Sequence, residues 1–289
     1  MKKILVPVDF SPASLNAVRY AAPLAAAFGA KLILLHIFPS RLIEAGISPK
    51  MQADIIDQEE AKARACFARI EDQIPPEISE QIEIEYQTII GPVQEEILFA
   101  SDNISPDLVV MGMRGGNHVT QKILGSTAAA VVQRSNFPVL IVPRHAHYRP
   151  IRHIAFATNF KDEDLVAIDQ LLPFAALFGA KVHCIHIRQN GKAQDIFKQE
   201  IMQKAFEHDV IMHNIDFDAL NYAEVIEGLN QYVRKNGIDI LVMLTHQRGL
   251  YSQLFYQSPT RRMFVQAEVP LWAFQMGGLG RMNARTARS

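Results

Sequence analysis

The chain has only two cysteines, Cys66 and Cys184, placed in different halves and without CxxC spacing. That excludes a disulfide framework, fits a reducing compartment, and leaves both thiols as expected packing residues. Charge of one sign is missing too: 29 Lys and Arg stand against 30 Asp and Glu, a net charge of -1. No overall field recruits a phosphate backbone or an anionic lipid surface, so nucleic acid is not an expected partner. Long hydrophobic runs are also lacking. The run after Met1-Lys2-Lys3 extends only from Ile4 to Val8 and no small-residue cleavage site follows. Neither a membrane span nor a leader is expected, and the cytoplasm is the expected location.

Catalytic signatures are equally scarce. The sequence contains no GxSxG elbow, no HExxH, no Walker loop and no glycine-rich dinucleotide fingerprint after its first strand. No enzyme class announces itself. ATP hydrolysis would need a metal ligand and a group to orient water, and only Asp9 and His118 offer themselves for those roles.

What is present is a soluble balance, 49% hydrophobic and 20% charged, over 289 residues. That length suits two cores of roughly 140 residues better than one. The chain also repeats itself. Phe28-Gly29-Ala30-Lys31 recurs as Phe178-Gly179-Ala180-Lys181, and His36-Ile37 as His186-Ile187. The same offset of 150 pairs Ile4 with Ile154, Asp9 with Asn159, Phe10 with Phe160 and Pro23 with Pro173. Further on, Leu108-Val109-Val110-Met111 matches Ile240-Leu241-Val242-Met243 at an offset of 132. The second copy has shortened between its second and fourth strands, where the first carries the polar stretch Ser40 to Ile74. Two copies at this period mean duplicated domains rather than a solenoid. The expected domains are 1–146 and 151–276, joined by Arg144 to Arg152, with 277–289 as a flexible basic tail.

Short β-branched runs without alternation predict strands buried on both faces: Ile4–Val8, Lys31–Ile37, Ile82–Thr88, Leu108–Met111 and Val139–Val142. In the second copy the expected strands are His153–Ala157, Lys181–Ile187, Asp209–Ile215, Ile238–Met243 and Leu271–Phe274. Ser11-Pro12 starts a helix that Gly29 closes, with Ala13, Ala17, Ala21, Leu24 and Phe28 as its apolar stripe. Lys50–Ile74, Val93–Ala100 and Thr127–Ser135 are the other expected helices of the first copy. This α/β alternation predicts two tandem doubly wound, Rossmann-like domains, with ligands at the strand carboxyl ends.

The chemistry-bearing stretch follows the fourth strand: Gly112-Met113-Arg114-Gly115, nine residues, then Gly125-Ser126-Thr127 opening an Ala-rich helix. Glycines at 112 and 115 allow a tight turn and a close backbone approach, and a helix start offers unpaired N–H groups to an anion. Taken singly, the glycines fit an ordinary turn and Ser126 a plain helix cap.

The spacing Gly112-x2-Gly115-x9-Gly125-Ser126 resembles the ATP-binding signature of the universal stress protein (UspA-like) family, and Lys3 to Ser11 resembles that family's first strand. The resemblance covers nearly the whole chain. It implies two adenine nucleotide alpha hydrolase-like domains, each with a five-stranded parallel sheet, and ATP as ligand, with or without Mg2+. By position, Pro7, Val8 and Asp9 would border the adenosine, Ile37 would pack on the base and Met111 would cover it. Gly112, Gly115, Gly125, Ser126 and Thr127 would hold phosphates. The alternative role for Asp9 is to cap the first helix only.

In the second copy the three glycines become Leu244, Gln247 and Gln257, and Asp9 becomes Asn159. Side chains stand where phosphate needs bare backbone, so this copy is expected not to bind ATP in the family manner, Ser258-Pro259 retaining only a cap. Arg248, Arg261 and Arg262 offer either a different anion pocket or solvated charge. Family members dimerise through their last strands, so Val139–Val142 and Leu271–Phe274 are the expected pairing surfaces, within one chain or in a homodimer. A slow ATPase or nucleotide-transferring enzyme using the same pocket, and a ligand-free scaffold for a protein partner, are the competing readings. His183, Cys184 and His186, with His208 and His213 beyond, invite a metal. On a strand, however, His183 points away from the other two, so three ligands from this segment cannot converge.

Overall fold

The computed structural model describes residues 1–39, 48–113, 125–188, 194–207, 214–245 and 269–275. These divide into two compact units, the first running to Tyr148 and the second from Arg149.

In unit 1 the order is β1 (Lys3–Val8), α1 (Pro12–Phe28), β2 (Lys31–Phe38), α2 (Pro49–Glu71), α3 (Pro76–Ser79), β3 (Ile84–Ile90), α4 (Val93–Ile104), β4 (Leu108–Gly112), α5 (Ser126–Arg134) and β5 (Val139–Val142). The five strands are parallel in the order β3-β2-β1-β4-β5. Strand order therefore reverses between β1 and β4, and the crevice a doubly wound sheet offers a ligand opens at the carboxyl ends of those two strands.

Local chemistry explains the first crossover. Ser11 caps α1 by accepting from the Ser14 amide, Pro12 takes the first helical position, and Gly29 closes the helix with φ 56°. The buried face is rotated from the expected stripe: Ala17, Ala21 and Leu24 are buried with Ser14, Val18 and Ala25, whereas Ala13 and Phe28 are half-exposed. Asn16 is buried there as well, satisfied by donating to the carbonyls of Pro143 and Ala146, both at 2.9 Å. That ties α1 to the chain beyond β5.

Unit 2 repeats the plan with β6 (His153–Ala157), α6 (Asp162–Phe178), β7 (Lys181–Arg188), α7 (Gln194–Ala205), β8 (Ile215–Asn221), α8 (Val225–Lys235), β9 (Ile240–Thr245) and β10 (Leu271–Gln275). Its strands are parallel in the order β8-β7-β6-β9-β10. Phe10 and Phe160, equivalent in the repeat, both take left-handed backbone conformations, φ 59° and 53°.

Two expected strands are corrected. The third strand of unit 1 is Ile84–Ile90 rather than Ile82–Thr88, and that of unit 2 begins at Ile215 rather than running from Asp209 to Ile215. Both are edge strands. Their residues are half-exposed or alternate between core and solvent, so they lack the continuous apolar run that marks the central strands. Of the second stretch, 209–213 lies outside the described residues.

Candidate nucleotide site

Six elements of unit 1, β1, α1, β2, α4, β4 and α5, converge on a cavity of about 550 Å³ at the sheet's switch point. The end of β1 contributes Pro7 and Val8 with Asp9 just beyond, β2 contributes Ile37, β4 contributes Met111 and Gly112, and the start of α5 contributes Gly125, Ser126 and Thr127. Nine of the ten residues singled out by sequence thus share one cavity; Gly115 lies outside the described residues.

The cavity has an apolar and a polar side. Val8, Ile37 and Met111 are buried, and α4 adds Val93 and the buried Ile97, which the sequence reading had not singled out. Such a slot suits a flat aromatic group. Asp9, Ser11, Ser14, Ser126 and Thr127 supply the polar side.

Asp9 stands exposed at the rim, and its Oδ1 accepts the Ser11 amide at 3.0 Å. Burial pushes its carboxyl pKa up, but hydrogen bonds from the Ser11 side chain and amide and from the Ser14 side chain outweigh that and hold it below the ordinary value. The group is an anion at neutral pH, aimed by the turn that starts α1. Phe10 is held in its left-handed conformation by ring contacts with His36, centroids 4.4 Å apart, and Phe67, at 5.4 Å. The His36 Nδ1 lies 2.7 Å from the Val8 carbonyl oxygen, so that nitrogen carries the proton and donates. His36 lines the cavity; its only sequence signal is its recurrence as His186.

Gly112 ends β4 directly beneath α1. A Cβ there would lie 2.2 Å from the Ala13 carbonyl oxygen, so only glycine fits. At α5 the structure corrects the reading of Ser126 as a cap: Gly125 is the cap residue, without a side chain to offer, and Ser126 is the first residue of the helix. Among the described residues no side chain caps the first-turn amides of α5, and the positive end of the helix borders the cavity. An apolar slot, an anionic rim residue and an open helix start match the parts of a nucleotide.

The universal stress protein family model matches residues 1–143. Universal stress protein G of Shigella flexneri is 30% identical over 144 residues, covering 49% of this chain and 98% of that protein. The chain belongs to the universal stress protein family. Universal stress protein Slr1230 of Synechocystis is 20% identical over 298 residues, covering 95% of this chain and all of that protein. A solved universal stress protein of Archaeoglobus fulgidus covers 94% of this chain, and 96% of its own, with a TM-score of 0.72 at 18% identity, a likeness of fold.

Within this universal stress protein the second unit departs from the first at the same corner. Leu244 takes the position of Gly112 and is 1% exposed. The turn after β6 is locked by Asp164, a buried carboxylate at the position of Ser14. Its Oδ2 accepts the Thr158 hydroxyl at 2.7 Å and the amides of Asn159 and Lys161 at 3.0 and 3.1 Å. The sequence comparison passed over this residue. Gln247, Gln257, Ser258, Pro259, Arg248, Arg261 and Arg262, with His118, His208, His213 and the tail, lie outside the described residues. Among the described residues no group of three metal-ligating side chains converges. Cys184 is fully buried, which pushes its thiol pKa well up, and His186 Nδ1 bonds the Thr158 carbonyl at 2.9 Å. No helix among the described residues is long and apolar enough to cross a membrane.

Proposed function

We propose that unit 1, within a domain of residues 1–146, binds ATP, and that this universal stress protein acts as a cytoplasmic, stress-related regulator. The observation that carries the reading is the cavity joining a buried apolar slot to the start of α5 across Gly112, where any side chain would collide with Ala13. The base enters the slot formed by Val8, Ile37 and Met111, Asp9 meets the ribose, and the phosphates take the amides of α5 with the hydroxyls of Ser126 and Thr127. A Mg2+ ion would be carried by the phosphates.

Binding without turnover is favoured over hydrolysis. Asp9 is the one carboxylate among the described lining residues, and one of its oxygens is committed to the Ser11 amide. That leaves little to orient a water. Unit 2, within residues 151–276, is read as having no ATP site, because a buried Leu244 stands at the position of Gly112 and a buried Asp164 at that of Ser14.

The test is to denature the freshly purified protein and quantify the nucleotide released. One equivalent of ATP per chain is expected. Two equivalents would overturn the reading of unit 2. None, with no thermal shift on adding ATP, would overturn ATP binding and favour a scaffold for a protein partner.

A further inference from the structure

Unit 2 contains a chain of polar side chains with no counterpart in unit 1. His153 opens β6, His183 lies in β7, Tyr232 in α8 and Asp218 in β8; the repeat places Lys3, Ile33, Ala100 and Gln87 at those positions. His153 Nδ1 and His183 Nε2 are 3.1 Å apart, His183 Nδ1 and the Tyr232 hydroxyl 3.1 Å, and that hydroxyl and Asp218 Oδ2 2.5 Å. His183 and Tyr232 are buried, 8% and 7% exposed.

The proton positions follow from donor and acceptor counting. Ionised Asp218 only accepts, so Tyr232 spends its one proton on it. The tyrosine oxygen must then accept from His183 Nδ1. A neutral His183 protonated at Nδ1 has a bare Nε2, so His153 Nδ1 must be the donor to it. Each bond has one permitted direction, from His153 through His183 and Tyr232 to Asp218. The far end opens on a surface cavity of about 210 Å³, lined by Asp218, Tyr232 and Lys235 among others, which gives the relay a route to solvent.

The geometry points to a pH-sensitive clasp: the His153–His183 pair can carry one added proton but not two while β6, β7, β8 and α8 remain joined through this relay, so acidification loosens unit 2. One added proton is carried at Nε2 of the half-exposed His153 with every bond in place, whereas a second, on His183 Nε2, sets its N–H against that of His153 Nδ1. The groups facing His183 are His153 from β6, Asp216 and Asp218 from β8, Lys181 on its own strand and Tyr232 from α8. Lys181 is paired with Asp216 at 2.6 Å. Burial, then the neighbouring His153, lower the His183 pKa, and the two aspartates only partly oppose them. The sign follows. An unfolded chain takes up a proton near pH 6.5 while the folded one refuses it, so this contribution is complete above that pH and declines as pH falls below it.

The experiment uses the full chain, with Trp272 as reporter; it is the only tryptophan and lies 2% exposed in β10 of unit 2. Urea unfolding followed by its fluorescence is measured from pH 7.5 to 5.5. The unfolding constant is expected to rise by up to about tenfold per pH unit below about 6.5. His183→Ile, the residue unit 1 carries at Ile33, is expected to flatten that dependence. An equal slope in the variant would overturn the clasp. Should the variant not fold, nitrogen-15 NMR of the wild-type histidines decides. A neutral, Nδ1-protonated His183 at pH 6 supports the relay, whereas titration near 6.5 or an Nε2-protonated ring overturns it.

Discussion

Gly112 sits so close under α1 that a methyl group on its Cα would come within 2.2 Å of the Ala13 carbonyl oxygen and 2.4 Å of its carbon. The close approach is of backbone to backbone, so no rotamer change relieves it. Gly112→Ala is therefore expected to force α1 and β4 apart, costing about 1–3 kcal/mol as overpacking does. Urea unfolding measures that cost. On the proposed function the same variant loses ATP affinity at least tenfold by calorimetry. Unchanged stability would mean that the helix yields freely.

Unit 2 solves the same corner differently. Asp164 is 4% exposed and accepts three hydrogen bonds from the turn that starts α6. Asp164→Ala strands those donors and removes the cap, a loss expected at about 2–4 kcal/mol. Asp164→Asn keeps the shape and one acceptor and should lose less. Trp272 fluorescence during denaturation reads both, and equal effects from the two variants would argue against a hydrogen-bonding role.

The sequence made some of this legible for definite reasons. β1 and β6 are continuous apolar runs because central parallel strands are covered on both faces, and their repeat at one offset fixed the architecture. The edge strands β3 and β8 were misplaced because solvent on one side interrupts that signal. Among the residues lining the cavity, Gly112 was readable from motif spacing and Asp9 from the resemblance of the first strand to the family's. Asp164 was not, since its role is set by a turn whose donors come from residues 158 to 161. The relay from His153 to Asp218 was hidden for a related reason: Tyr232 lies 49 residues from His183 and meets it only when α8 packs on the sheet.

Asp9 gives a pH dependence of opposite origin to that of His183. Its carboxyl pKa is lowered in the fold because hydrogen bonds from Ser11 and Ser14 outweigh burial. Its stabilising contribution is therefore complete above the ordinary aspartate pKa and is lost as pH falls through the depressed value. Asp9→Asn should leave the stability of the protein between pH 5 and 8 parallel to that of the wild type, with divergence only below about pH 4. Denaturation midpoints measured across that range check it, and divergence at pH 6 would mean that Asp9 is not held as an anion.

His36 and His186 separate a brace from a ligand contact. Each donates from Nδ1 to the carbonyl of the residue two before a left-handed phenylalanine, Val8 before Phe10 and Thr158 before Phe160, at 2.7 and 2.9 Å. The rings pack tilted against those phenylalanines at centroid distances of 4.4 and 4.8 Å. Because the pair recurs in unit 2, where Leu244 and Asp164 replace Gly112 and Ser14, its first duty is to hold the turn after each first strand. His36→Phe and His186→Phe keep a ring for packing and remove the donor, and each is expected to cost about 1 kcal/mol. If His36 also served the nucleotide, His36→Phe would weaken ATP binding well beyond that small destabilisation. Calorimetric affinity within about threefold of wild type is the outcome expected of a brace alone.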